Sequence, residues 1–208
     1  INNVKQAIQL AGKQPVVIDV DAFALQNCYE VNYQPRQGEI VALLNIGAAT
    51  MNINILNGAR SIFARDASAG GSHYTGLLQK ELGISFEQAE AVKRGMALPD
   101  GVEAKPIQPI IETVSETLAL EVKKTFDFYR TTAQESEATI QKILLAGGGS
   151  KLPGLPDFLA ARFDIPVEVF DPFRQIEVDA TKFDPDYMRE IVPEMAVAVG
   201  LALRGVDA

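Results

Sequence analysis

Between an apolar run and a helix-like run the chain reads Leu144-Leu-Ala-Gly-Gly-Gly-Ser-Lys-Leu-Pro-Gly-Leu155, and the three consecutive glycines constrain the fold more than any other feature. Glycine is costly to order. A triplet inside a domain implies left-handed backbone angles or an approach to the main chain closer than any side chain permits. The preceding "IQKILLAG" reads as a buried strand and "LPGLPDFLAARFD" as a helix. A turn from strand to helix is where backbone amides can face a phosphate or a nucleoside. Two familiar enzymatic patterns are excluded. Lys151 stands between Ser150 and Leu152, which is not a P-loop, and no third glycine occupies the offset of a dinucleotide fingerprint. On this motif alone, a tight turn with nothing bound remains open.

The surrounding pattern alternates strands and helices. Val4, Ala7, Ile8 and Ala11 share one helical face closed by Gly12, Pro15 to Val20 reads as a buried strand, and Asp21 reads as the N-cap of the next helix. Residues 39–45 and 50–56 are expected strands, and Asn57-Gly58 is a strong hairpin signal leading into "ARSIFARD". Three adjacent antiparallel strands follow from this order. Residues 70–135 are helical in texture, with Ser85 and Gln88 forming a capping box. After Pro109, Ile111, Val114, Leu118, Val122, Phe126 and Tyr129 recur at steps of three and four, so one face is buried. Residues 99–106 read as a loop between helices, "IPVEVFD" as a strand, and "PEMAVAVGLALRG" as a final helix with small residues for tight packing.

A second small-residue turn accompanies the triplet. In "LLNIGAATMNINIL" the turn holds Gly47, Ala48, Ala49 and Thr50, which leaves backbone N–H groups exposed where two strands meet, with a hydroxyl at the far end. Taken alone, such hairpins are common. Its pairing with the triplet across a helical insertion that carries Glu90 and Lys93 is not.

Composition narrows the function classes. With 208 residues, 47% of them hydrophobic, the chain can build a sizeable core. A net charge of −8 argues against wrapping nucleic acid or lying on an anionic membrane surface. No stretch of about 20 apolar residues appears, so membrane association is expected only through a partner. Cys28 is the single cysteine and reads as core filling. His73 is the single histidine and has no metal-ligand spacing around it. The chain opens at Ile1 within a helical pattern, so an upstream segment is expected.

The hairpin turn, the Gly70-Gly71 pair, "AEAVK", "LLAGGGSKLPGL" and the terminal "GLALR" together resemble the α/β actin-like ATPase (ribonuclease H-like) fold, shared with the division protein FtsA and the seventy-kilodalton chaperones. Order and spacing are most similar to the PilM family of type IV pilus assembly. The resemblance covers essentially the whole chain but only the later part of such a protein. It implies a remnant of the first domain (subdomain 1A) at 1–37 and the core sheet of the second (2A) at 38–66 and 138–192. It also implies a helical lobe (2B) at 67–137 and a C-terminal hinge helix at 193–208. Asp21 and Gly200 match hinge positions.

Carried over by position, the resemblance places a nucleotide, ATP with Mg²⁺, against these motifs. Gly147, Gly148 and Gly149 match the adenosine motif, where side chains would block base and ribose, and Ser150 and Leu152 follow them. Gly47, Ala48, Ala49 and Thr50 match the second phosphate motif, Gly70 and Gly71 flank it, and Glu90 and Lys93 match helix positions that reach ribose and adenine. Asn45 departs from the family, whose pattern most often opens with Asp. An amide cannot supply the charge that holds the hydration shell of Mg²⁺, which implies at most a weak ATPase. The resemblance further implies a cytoplasmic scaffold, peripheral to the inner membrane, that binds the cytoplasmic tail of PilN through the first domain, upstream of Ile1. In that case the fragment would bind ATP weakly or not at all. A phosphotransferase of the sugar or acetate kinase type, or a nucleotide-free filament or interaction module, would use the same fold. An unpaired sheet edge at Pro15 to Val20 adds possible self-association.

Overall fold

The computed structural model describes residues 1–101, 107–132 and 139–204. Strands β1 (Ile40–Ile46), β2 (Met51–Asn57) and β3 (Arg60–Ala67) form an antiparallel meander, while β4 (Lys142–Ala146) and β5 (Val167–Val169) join the other side of β1 in parallel. The sheet order is β3-β2-β1-β4-β5. In the parallel pair Asn45 lies opposite Ala146, so the turns that follow β1 and β4 emerge side by side. Ligands of open α/β sheets gather at such carboxyl ends.

Both faces of the central strands are covered, which is why β1 and β4 read as nearly unbroken apolar runs. Ala42, Leu44, Ile46, Ile53 and Leu145 face α5 (Ile107–Thr132) and α6 (Leu155–Phe163), where Val114, Leu118, Val122, Phe126 and Tyr129 form the expected buried stripe. Pro109 falls inside the first turn of α5, which begins earlier than the sequence suggested. Val41, Leu43, Leu144 and Ala146 face α2 (Asp21–Tyr33) and α8 (Ala196–Leu203). Cys28 is fully buried there, and burial pushes its thiol up to about 12, so it packs as an inert small hydrophobe. The helical lobe has a small core of its own. Leu78 of α3 (Gly71–Leu82) and Ala89 and Val92 of α4 (Phe86–Lys93) meet Ile107, Ile110 and Ile111. Ser85 Oγ accepts from Gln88 N–H at 3.3 Å and Ser85 N–H donates to Gln88 Oε1 at 2.9 Å, so the capping box starts α4 as read.

The N-terminal segment departs from expectation. Pro15 to Val20 is not a strand, and Val16 is 86% exposed. No described strand runs beside it to complete a ladder. Helix α1 (Asn2–Leu10) likewise buries no residue despite its apolar stripe. Val20, not Asp21, is the N-cap of α2, and Asp21 opens the helix without a capping hydrogen bond. Just before the helix, Asp19 Oδ1 accepts from Val20 N–H at 2.9 Å while Oδ2 pairs with Arg204 at the end of α8. Beyond the expected elements lie a short helix α7 (Pro185–Ile191) and 3₁₀ turns at Gly148–Lys151 and Val192–Glu194. Part of the loop at 99–106 and the lobe boundary at 137/138 lie outside the described residues.

Candidate functional site

The turn between β1 and β2 is closed by Gly47 N–H donating to Thr50 O at 2.9 Å. The amides of Ala48 and Ala49 have no acceptor among the described residues and remain available to a ligand. The first two amides of α3 clasp this turn: Gly71 N–H donates to Gly47 O at 2.9 Å and Ser72 N–H to Ala48 O at 2.8 Å. Gly70 makes the clasp possible, because a Cβ on it would lie 2.5 Å from Gly47 O. His73 Nδ1 accepts from Gly70 N–H at 3.3 Å, a capping role.

The glycine triplet divides into two roles. Gly147 has φ +81°, and a Cβ there would lie 2.6 Å from both Asn45 Oδ1 and Ile46 O. On Gly149 it would lie 2.2 Å from Ile46 Cγ2. These two glycines let the turn after β4 lie flat on the end of β1. Gly148 is different: its nearest neighbour would be Glu194 Oε1 at 3.7 Å, an ordinary contact. Ser150 is buried and its hydroxyl donates to Gly147 O at 2.7 Å, tying the turn together.

The two turns and the lobe enclose a cleft of about 250 Å³. Of the residues singled out in the sequence, Gly47, Ala48 and Gly71 line one side, Gly148, Gly149 and Leu152 another, and Glu90 and Lys93 the lobe wall. Asn45, Ala49, Thr50, Gly70, Gly147 and Ser150 do not line it. The structure adds Ser72, Tyr74, Phe86, Arg94, Lys151 and Glu194. A single sequence offers no periodic signal for these, since they converge from four elements.

Charge in the cleft is paired but not exhausted. Lys93 Nζ lies 2.5 Å from Glu90 Oε1 and 3.0 Å from Thr75 Oγ1, and the Thr75 hydroxyl also donates to Glu90 Oε1. Burial works against ionisation of Glu90, but these hydrogen bonds and the Lys93 charge outweigh it and hold the carboxyl below its ordinary value. Its Oε2 has no partner among the described residues. Opposite, Lys151 Nζ pairs with Glu194 Oε1 at 2.9 Å. Buried Leu152 and Tyr74 supply apolar surface, with the Tyr74 hydroxyl 3.1 Å from Ser115 Oγ. No group of three His, Cys, Asp or Glu that could hold a metal occurs among the described residues. The cleft thus combines apolar surface with a carboxylate–lysine pair and backbone N–H groups of the turn after β1.

Residues 1–206 match the family described as type IV pilus assembly protein PilM. The chain belongs to the PilM family. A solved PilM-PilN type IV pilus biogenesis complex superposes with a TM-score of 0.83 at 30% identity, covering 100% of this chain and 58% of that one. Cell division protein FtsA of Rhizobium meliloti (strain 1021) is 28% identical over 56% of this chain and 31% of its own length. MreB5 of Spiroplasma citri bound to AMPPNP shares the fold, with a TM-score of 0.68 at 14% identity over 97% of this chain and 62% of that one. The fold of this PilM-family chain is therefore actin-like, and the chain spans less than two thirds of each of these relatives.

Proposed function

We propose that this chain is the nucleotide-holding part of an actin-like scaffold for type IV pilus assembly, with the cleft receiving the adenosine of ATP and the Ala48 and Ala49 amides its phosphates. One observation carries the reading. The Glu90 carboxylate, one oxygen of which has no partner among the described residues, lines the same cleft as Gly148, a position with no side chain of its own. That combination suits a ribose hydroxyl and an adjoining planar base. Asn45 brings no negative charge to the phosphate end, so hydrolysis is slow at most and the bound state itself is the functional output. Kinship with the PilM of the solved complex supports PilN as the partner. No helix among the described residues is long and apolar enough to cross a membrane. In our reading the scaffold is cytoplasmic and is held at the inner membrane by that partner.

The test is an NMR titration of the chain with ATP and with adenosine. Amide signals of Gly148, Glu90 and Ala48 move with ATP, adenosine moves only the first two, and Gly148→Val removes both responses while the rest of the spectrum is retained. The chain alone is expected to bind weakly, so the titration is carried to high nucleotide concentration; signals still unmoved there, or an unchanged affinity in the Val variant, would overturn the reading.

A further inference from the structure

At the end of the sheet opposite the cleft, where β1 and β4 begin, two cavities of about 270 Å³ and 630 Å³ share a wall made of Tyr33, Gln34 and Glu39. Together they form one groove. Arg174 lines only the smaller cavity and Arg36 only the larger, so an arginine stands on either side of the shared wall, and neither has a carboxylate partner among the described residues. The Arg174 guanidinium lies over the Tyr33 ring instead, 5.0 Å from its centroid. Lys142, the remaining cation of the lining, is committed to Glu168 at 3.0 Å, and Glu39 is the one carboxylate that lines either cavity. In a chain of net charge −8 this is a local reversal of sign. Tyr29 also lines the smaller cavity, and although it is only 3% exposed its hydroxyl has no hydrogen-bond partner among the described residues. A buried polar group left unmatched is costly. Burial, with the Glu39 charge behind it, pushes the phenol up to about 12, so it stays protonated and free to donate. Its polar neighbours are already occupied: the Asn32 amide donates to Cys28 O and accepts from Gln175 N–H, both at 2.9 Å, and the Tyr33 hydroxyl accepts from Asp171 N–H at 2.8 Å.

We propose that this groove docks an acidic, extended segment of a protein partner, with a main-chain carbonyl on the Tyr29 hydroxyl and acidic side chains on Arg174 and Arg36. A peptide unit presents an acceptor and a donor together, and the groove offers the complements in the Tyr29 hydroxyl and, on the shared wall, the Glu39 carboxylate. Glu39 Oε2 holds only a long contact with Arg36 N–H, at 3.4 Å. Its charge would repel an acidic side chain placed on the shared wall, which leaves the acids of the partner to the two ends. There each guanidinium fork matches a carboxylate with two parallel hydrogen bonds. A single small acid would engage one arginine and leave the other unused.

The test titrates the chain at low salt with a hexaglutamate peptide, with a hexalysine peptide and with free glutamate, followed by backbone amide NMR signals. Hexaglutamate moves Gln34, Gly38 and Gln175 and leaves Gly148, at the other end of the sheet, in place. Hexalysine moves none of the three, and free glutamate binds about tenfold more weakly than the peptide because it reaches one arginine. Arg174→Glu, at an exposed position, weakens hexaglutamate by about tenfold, and Tyr29→Phe, which removes one unpartnered oxygen, weakens it by about fivefold. The rest of the spectrum reports that both variants stay folded. Signals that hexaglutamate leaves unmoved at millimolar concentration would overturn the proposal, as would equal movement by hexalysine or an unchanged affinity in Arg174→Glu. Equal affinity for free glutamate would make this a site for a small acid and overturn the docked segment. A loss in Arg174→Glu with none in Tyr29→Phe would reduce the effect to diffuse charge and overturn it too.

Discussion

Gly200 of α8 meets the backbone of α2 so closely that a Cβ on it would lie 1.8 Å from Ala24 O. The contact is reinforced by Asn27 Nδ2 donating to Gly200 O at 2.9 Å. Gly200→Ala must push the two helices apart, and its gain in helix propensity of about 1 kcal/mol does not offset that. A loss of about 2 kcal/mol is expected, a fall of roughly 4–8 °C in Tm for a chain of this size, read by calorimetry.

The triplet should separate in the same assay. Gly147→Ala and Gly149→Ala each force a side chain into β1 and lower Tm by several degrees, whereas Gly148→Ala leaves Tm within about 1 °C. Equal losses at all three positions would show that the turn is uniformly packed.

Glu90 links the lobe wall to pH. Its folded-state carboxyl lies below the ordinary 4.5, so its contribution to stability is complete above that value, where folded and unfolded chains are both ionised. As pH falls below 4.5 the unfolded chain takes up the proton first, and the contribution disappears as pH passes through the folded value. Urea unfolding of the unsubstituted chain and of Glu90→Gln should therefore differ at pH 6 and converge toward pH 3. A gap that stays constant over that range would rule out the linkage.

Val16, Ile18 and Val20 are all more than half exposed along a segment with no strand beside it among the described residues. An exposed apolar segment of this kind favours association with another chain. Light scattering coupled to chromatography should show mass rising with concentration, and Val16→Asp with Ile18→Lys should return the chain to a monomer. A chain that is strictly monomeric at high concentration refutes this.

A titration of this chain with a PilN cytoplasmic peptide locates the partner surface: under the expectation that the groove belongs to the first actin-like domain, the response is flat. Micromolar binding would move the partner surface onto the second domain.

Much of this architecture was legible in the sequence because it depends on local spacing. The Asn57-Gly58 turn, the Ser85 and Gln88 capping box and the stripe from Val114 to Tyr129 each need only their neighbours. Pro15 to Val20 has the same texture as a strand, yet strand formation depends on a partner, and none stands beside it among the described residues. The cleft shows a similar division. Glycines and small turn residues mark close approaches, which is why Gly47 and Gly148 could be picked out, but their spelling does not say whether protein or ligand does the approaching. For Gly70, Gly147 and Gly149 the neighbour is the protein's own backbone or side chain. Phe86, Lys151 and Glu194 reach the cleft through packing between elements far apart in sequence, and no local pattern records that.

Two main-chain hydrogen bonds and the Gly70 contact couple the start of α3 to the turn after β1 with almost no slack. Any displacement of the helical lobe would have to carry that turn with it, as by a lever, or break both bonds. The wall carrying Glu90 and the amides of Ala48 and Ala49 would withdraw in one stroke, so a ligand gripped at both ends would lose both grips together.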